Sequence, residues 1–190
     1  MKSSLPSSKF WSGKNVLITG HTGFKGSWLT IWLSKLGANV TGIGLNPDTE
    51  PSLFTKANVD SLCDSKIVDI RKFKQLRDEV LNVDPQIVIH LAAQPLVRHS
   101  YEDPRGTFEV NIMGTTNLLE SLSSCASLKS AVIITTDKVY KNNEDGKHYS
   151  EDSPLGGFDP YSASKAGTEM VINSYRKSFF EDKNISISSA

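Results

Sequence analysis

A doubly wound parallel α/β sheet is the fold this sequence predicts. Short, almost wholly apolar runs alternate with longer segments whose apolar residues recur every three or four positions. That alternation marks strands buried on both faces and the helices that cross between them. Glycines follow the first apolar run at once, as a phosphate-binding turn requires. Right-handed crossovers then give the strand order 3-2-1-4-5-6.

Residues 15–19, NVLIT, read as the first strand. Trp28, Leu29, Trp32, Leu33 and Leu36 recur at helical spacing, and Gly37 is the stop. Aromatic residues at i and i+4 beneath a sheet predict Trp28 and Trp32 to be core. The second strand is 38–44, and a short third strand is 66–70. Residues 71–83 fit a helix with Phe73, Leu76, Val80 and Val83 on one stripe. Pro85 opens the fourth strand, QIVIHLA. A long helix over 104–125 leads to the fifth strand, SAVIITT (130–136). A helix over 160–180 and a sixth strand, NISISSA, finish the pattern. The polar stretch 141–158 is expected to be a long surface loop of functional kind. Residues 1–13 form an N-terminal extension and 14–190 one domain. Because the pattern stops on a strand, the chain is expected to be part of a longer one, with a substrate-binding half missing.

Composition excludes several function classes. At 190 residues the chain buries one sizeable core. Lys+Arg and Asp+Glu both number 21, so no basic excess points to nucleic acid. No like-charge run points to a membrane surface. Cys63 and Cys125 form no CxxC, which fits a reducing cytoplasm. His21, His90, His99 and His148 lack ligand spacing, so no metal site is expected. The first residues carry no apolar core of a signal peptide, and no apolar run approaches the roughly 20 residues of a membrane span.

Two motifs carry chemistry. Gly20, Gly23 and Gly26 lie in TGHTGFKG, directly after a strand and before a helix. Glycines let the backbone approach a pyrophosphate, and the helix N-terminus offers free N–H groups. An acidic residue that grips the ribose is usual roughly 20 positions on. Here Leu45 and Asn46 stand at the end of the second strand, Asp48 comes late, and no arginine waits there for a 2′-phosphate. NAD is therefore expected over NADP. Asp69, after the third strand, either meets the adenine edge or is a solvated turn carboxylate. Tyr161 and Lys165 form YxxxK on one face of a helix. An ammonium beside a phenol favours phenolate and makes a base. Thr136, Asp137 and Lys138 leave the C-terminal end of the fifth strand, where doubly wound folds place their sites. The Asp-Lys pair alone also reads as a solvated turn.

Taken together, TGHTGFKG, HLAAQ (90–94), NIMGTTNLLE (111–120), TTDKVY (135–140) and YSASK (161–165) resemble the extended short-chain dehydrogenase/reductase family in order and spacing. Within it, FWSGKNVLITGHTGFKGSWL (10–29), TTDKVY and PLGGFDPYSASK (154–165) are similar to the 4,6-dehydratases that act on CDP-glucose. Related dTDP-glucose dehydratases carry glutamate at the position of Lys138. The family's epimerases lack the Asp-Lys pair. The resemblance implies a Rossmann domain over 14–190 that binds NAD. Gly20, Thr22, Gly23, Phe24, Lys25, Gly26, Asp69, Ile70, Leu91, Ala92, Ala93, Gln94, Thr135, Tyr161 and Lys165 would line the cofactor cleft.

It also implies a redox-neutral dehydration yielding CDP-4-keto-6-deoxy-glucose. Tyr161, with Lys165 and Thr136, takes the 4-hydroxyl proton while hydride passes to NAD. Asp137 is then the acid on the departing 6-hydroxyl. Lys138 is either the base at carbon five or a cation beside the enolate. An unperturbed lysine is mostly protonated near neutral pH, so the base role requires burial. Asn111 stabilises the site region. The helices 104–125 and 160–180 resemble a pair that forms a homodimer interface. Without the substrate half, residues 1–190 are expected to be inactive alone. Other nucleotide-sugar dehydratases or epimerases, and a non-catalytic NAD-binding module, remain as alternatives.

Overall fold

The computed structural model describes residues 6–142, 144, 146 and 148–190. Ser7 caps a single helical turn, α1 (Ser8–Trp11), and β1 follows at Asn15–Thr19. Helix α2 (Phe24–Lys35) leads to β2 (Asn39–Gly44) through Gly37, whose φ of +85° suits the reversal after a helix. Helix α3 (Leu53–Lys56) and a 3-10 turn (Val59–Leu62) precede β3 (Asp64–Ile67). Then come α4 (Phe73–Val83) and β4 (Ile87–His90). Next are α5 (Val97–Glu102) and α6 (Pro104–Phe108), the latter capped by the Asp103 carboxylate. A π-helical stretch (Glu109–Met113) joins α6 to α7 (Gly114–Leu122). Strand β5 (Ser130–Ile133), α8 (Pro160–Tyr175) with a π-helical end (Arg176–Phe180), and β6 (Ser186–Ser189) complete the order.

All six strands are parallel, in the order β3-β2-β1-β4-β5-β6 that the sequence predicts. The limits differ in places. Strand β3 covers 64–67 rather than 66–70. Its partner β2 ends at Gly44, which pairs with Ile67, so Asp69 and Ile70 have no ladder left to join. Strand β5 stops at Ile133, which leaves Thr135 and Thr136 in the loop above the sheet. The long helix ends at Leu122 and is broken by the π stretch, and α5 was not foreseen.

The two faces of the sheet are covered unequally, against the expectation of full burial. On one face Leu76 and Val80 of α4, Leu118, Leu119 and Leu122 of α7, and Ile172 of α8 pack on Leu17, Val88, Ala131, Ile133 and Ile187. On the other face Leu33 of α2 packs on Val16, Ile18 and Val40, with Leu29, Leu36, Ile87, Ile89 and Leu91 half-buried around them. Chirality explains the asymmetry. The chain moves one way from β1 to β3 and the opposite way from β4 to β6, so right-handed crossovers lie on opposite faces. No described helix lies over the second face at β5 and β6, where Ser130, Val132 and Ser188 stay half-exposed.

Trp28 and Trp32 are not core: they are 54% and 51% exposed. Gly26, Ser27, Thr30 and Leu33 occupy the face of α2 that meets the sheet, and small residues there bring the helix too close for indole rings. Phe73, the first residue of α4, is likewise 38% exposed, while Leu76 and Val80 of the same stripe are fully buried. These positions differ in stability cost. Leu118→Ala should destabilise by about 2–5 kcal/mol. Trp28→Gln and Trp32→Gln should each stay within about 0.5 kcal/mol. Urea unfolding monitored by circular dichroism checks both, and a costly Trp28→Gln would contradict the exposure seen here.

Candidate active site

The glycine loop is built for close backbone approach. Gly20 has φ +76°, donates its N–H to the Ile43 carbonyl at 2.7 Å, and sits so near Ala92 that a Cβ would meet its nitrogen at 2.7 Å. A Cβ on Gly26 would fall 2.0 Å from the Gly20 carbonyl oxygen. Gly23 is different: a Cβ there would touch only Gly20 O, at 3.4 Å, so the space outside it is open. Gly23 also caps α2 without any side-chain hydrogen bond, which leaves the first N–H groups of the helix bare. Phe24 and Lys25 are exposed beside them. Bare amides at a helix start, with no side chain in front, fit a pyrophosphate.

The rest of the loop is anchored from below. Thr22 Oγ1 donates to the Leu45 carbonyl at 2.8 Å, tying the loop to the end of β2. His21, which carried no role in the sequence reading, is fully buried with Nε2 2.7 Å from Ser65 Oγ and its ring edge-on to Phe54. Its ring fills the space where a Cβ on Gly42 would stand, which explains the glycines of β2. Burial lowers its pKa. At the ribose end Leu45 and Asn46 are exposed and not acidic. Asp69 is gripped by Arg71 through a 2.6 Å ion pair and a backbone N–H bond. The Arg71 hydrogen bond holds the Asp69 carboxyl below its usual range.

A buried polar cross-link joins this loop to α8. His90 Nδ1 lies 2.5 Å from Thr19 Oγ1 and Nε2 lies 3.0 Å from Thr115 Oγ1. The Ala92 N–H donates to Thr19 Oγ1, and Thr115 Oγ1 donates to the Asn111 carbonyl. Asn111, in the π stretch, accepts from Gln94 N at 2.8 Å and donates to Gln94 O and Ser164 Oγ. Ser164 Oγ donates to the Tyr161 carbonyl. Gln94 spends its own amide on Thr107 and Leu96, so its side chain holds the loop rather than pointing free into the cleft. Sequence reasoning found Asn111 and missed Thr19, His90, Thr115 and Ser164. No local signal marks them, because each is ordinary in its own segment and meets its partners only across the fold.

The expected catalytic residues converge above β5. Thr136 opens the short turn Asp137–Val139 and donates Oγ1 to Asp137 Oδ1 at 3.1 Å. The turn lines a cavity of about 360 Å³ with Asp137, Lys138, Tyr140, Tyr149 and Phe158 on its wall. The described part of the 141–158 loop supplies that wall, while residues 143, 145 and 147 lie outside the described residues. Tyr161 is half-buried at the start of α8, where the Asp159 carboxylate caps the helix. Burial raises its pKa first of all, the Thr136 hydroxyl lowers it, and Asp159 and Asp137 raise it further.

Lys165 is buried on α8. Its Nζ donates to the Ile134 carbonyl at 2.9 Å, and desolvation pulls its pKa down to about 8. Lys138 is exposed, so the described residues do not supply the burial that a base role demands. Thr135 donates to Glu169, whose other oxygen accepts from Ser189 on β6; neither partner was foreseen.

The buried histidine makes stability depend on pH. His90 is lowered from 6.5 to about 3, first by burial and then by the Lys165 charge. The unfolded chain therefore binds more protons between those values, and stability rises with pH across that window. Relative stability should be complete above about 6.5 and lost progressively as pH falls toward about 3. Thermal melting from neutral to acid pH should show this slope, and His90→Gln should flatten it. An unchanged slope in the variant would assign the acid sensitivity elsewhere.

Comparison with known proteins agrees with this geometry. The chain is 50% identical over 175 residues to CDP-glucose 4,6-dehydratase of Salmonella typhimurium, covering 92% of this chain and 49% of that one. It is 35% identical to dTDP-D-glucose 4,6-dehydratase of Dictyostelium discoideum, over 87% of this chain and 41% of that one. The chain thus spans about half the length of the curated relatives it matches. Among solved structures, UDP-glucose 4-epimerase of Thermus thermophilus in complex with NAD superposes with a TM-score of 0.77 at 30% identity, covering 92% of this chain and 53% of that one. The dTDP-glucose 4,6-dehydratase DesIV of Streptomyces venezuelae, with NAD bound, gives 0.76 at 26% identity, covering 92% and 54%. The sequence pattern described as GDP-mannose 4,6 dehydratase runs through residues 17–189, and the chain belongs to that family.

Proposed function

We propose that this chain supplies the cofactor-binding and proton-handling part of an NAD-dependent dehydratase that converts CDP-glucose to CDP-4-keto-6-deoxy-glucose. The observation that carries the reading is the convergence of Thr136, Asp137 and Tyr161 at the end of β5, beside a glycine loop with bare helix amides. Similarity to the Salmonella CDP-glucose enzyme supports the substrate. The same site would serve other nucleotide-sugars, but the Asp137–Lys138 turn favours elimination over epimerisation.

The Gly20–Gly26 loop and the α2 amides hold the pyrophosphate of NAD, and the residues from Leu91 to Gln94 flank it. Exposed Leu45 and Asn46 offer nothing to a 2′-phosphate, and Arg71 is occupied by Asp69. That favours NAD over NADP. When bound, NAD supplies a two-electron acceptor at sugar carbon four and returns the pair at carbon six. Tyr161 accepts the proton of the 4-hydroxyl as the phenolate, its own proton having passed to solvent as the cleft fills, and the Thr136 hydroxyl orients it. Lys165, with its pKa near 8, is still largely a cation at neutral pH and favours that phenolate. The resulting ketone acidifies the hydrogen at carbon five. Asp137 gives a proton to the departing 6-hydroxyl. Lys138, exposed on the same turn, stabilises the enolate as a positive group, while the carbon-five proton leaves to solvent and one returns from solvent when the hydride reaches carbon six. The outer surfaces of the two long helices carry exposed Met113, Met170 and Phe179, which suits pairing with a second copy of the chain.

Three substitutions in the full-length enzyme and one titration of this chain test the reading. Tyr161→Phe should lower turnover of CDP-glucose by roughly 10²–10⁴-fold with NAD binding intact. Lys138→Met should leave a sugar oxidised at carbon four but not dehydrated, visible by product NMR, whereas Asp137→Asn should slow water loss alone. Near-normal turnover in Tyr161→Phe would remove that residue from the mechanism. Calorimetry should give tighter binding of NAD+ than of NADP+, and the reverse order would overturn the cofactor assignment.

A further inference from the structure

His90 is fully buried between two hydroxyls and belongs to none of the proton steps above. The proton positions along its chain follow from counting donors. The Thr115 hydroxyl proton is committed to the Asn111 carbonyl at 2.7 Å, so Thr115 Oγ1 accepts from His90 Nε2–H. A neutral ring with Nε2 protonated leaves Nδ1 as an acceptor, and the Thr19 hydroxyl donates to it. Thr19 Oγ1 then accepts from the Ala92 N–H at 3.2 Å. Every hydrogen bond thus runs in one direction, from the loop that touches Gly20 to the carbonyl of Asn111. Thr168 of α8 donates to that same carbonyl, and the Asn111 side chain continues to Ser164.

We propose that His90 is a positioning residue. Held neutral with its proton on Nε2, it fixes the cofactor loop through Thr19 and the Tyr161-bearing helix through Thr115 and Asn111. The cofactor part rests on the reading that the cleft takes NAD. The chain has two separable arms. An Asn at 90 sets a carbonyl near the Nδ1 position and keeps the Thr19 arm alone. A Gln sets an amide donor near the Nε2 position and keeps the Thr115 arm alone. Lys165 on α8 is the charged group that faces the ring, and a second positive charge beside it is unfavourable, which keeps the ring neutral.

The test combines three measurements. Nitrogen NMR of the unsubstituted protein labelled at histidine should show the His90 ring neutral, with Nε2 protonated, from neutral to mildly acid pH. A proton on Nδ1, or a ring that titrates as an ordinary histidine, would overturn the proposal. Calorimetry with NAD+ should find His90→Gln weaker by about three- to tenfold, the equivalent of one net hydrogen bond, and His90→Asn close to the parent. Amide hydrogen exchange at the start of α8 should show the reverse, with His90→Asn faster and His90→Gln close to the parent. Equal losses on both arms in both variants, or no loss in either, would reduce His90 to core filling. If the parent chain binds no NAD+, the cofactor reading fails, while the ring's proton position and the exchange pattern still decide the role of His90.

Discussion

Between β1 and β4 the strand order reverses, and everything functional depends on that reversal. Right-handed crossovers carry the chain to opposite faces on either side of it, so the loops leaving β1 and β4 diverge. In doubly wound sheets the space above such a reversal is where ligands bind. The same rule leaves one face of β5 and β6 without a described crossover helix. Site and asymmetry therefore have one cause, and neither is an independent feature of the sequence.

A cleft formed by diverging loops needs something to keep its walls in register. Apolar packing alone tolerates sliding, since its attraction is non-directional. The cross-link from Thr19 through His90 and Thr115 to Asn111 is directional, and each of its buried groups has a partner. Leaving one such group unpaired costs about 1–3 kcal/mol, so the network tolerates little displacement. The π stretch at Glu109–Met113 belongs to the same device. It sets Asn111 where its side chain reaches Gln94 on one wall and Ser164 on the other.

The fold was legible because its signals are local. Strand order, glycine loop and the position of Thr136 at the end of β5 all follow from apolar runs and punctuation. Trp28 and Trp32 were misread because i,i+4 aromatics look alike whether they face a sheet or solvent. The deciding residues were Gly26, Ser27 and Thr30, whose small size marks the face of closest approach. Asn111 was legible only through the resemblance of NIMGTTNLLE (111–120) to the family pattern. His90 and its two threonines were not, because each is ordinary in its own segment and becomes meaningful only opposite the others, 71 and 25 residues away in sequence. The exposure of Lys138 was equally hidden, since it depends on how a polar loop folds over a turn.

The electrostatics of Tyr161 and Lys165 carry one further consequence. Sequence reasoning treated the pair as an ammonium that creates a phenolate. In the structure burial acts on both members and in opposite directions: it raises the phenol above its ordinary 10.0 and lowers the amine to about 8. With the amine the weaker holder of a proton, the phenol keeps its own, and the ion pair of phenolate and ammonium is disfavoured. Lys165 finds its partner in the Ile134 carbonyl instead. Desolvation outweighs the lowering effect of the nearby Thr136 hydroxyl. The arrangement is thus that of a protonated phenol beside a separately held amine. What the fold supplies beforehand is geometry, and the burial that holds Tyr161 protonated is the same burial that strengthens each charge brought against it.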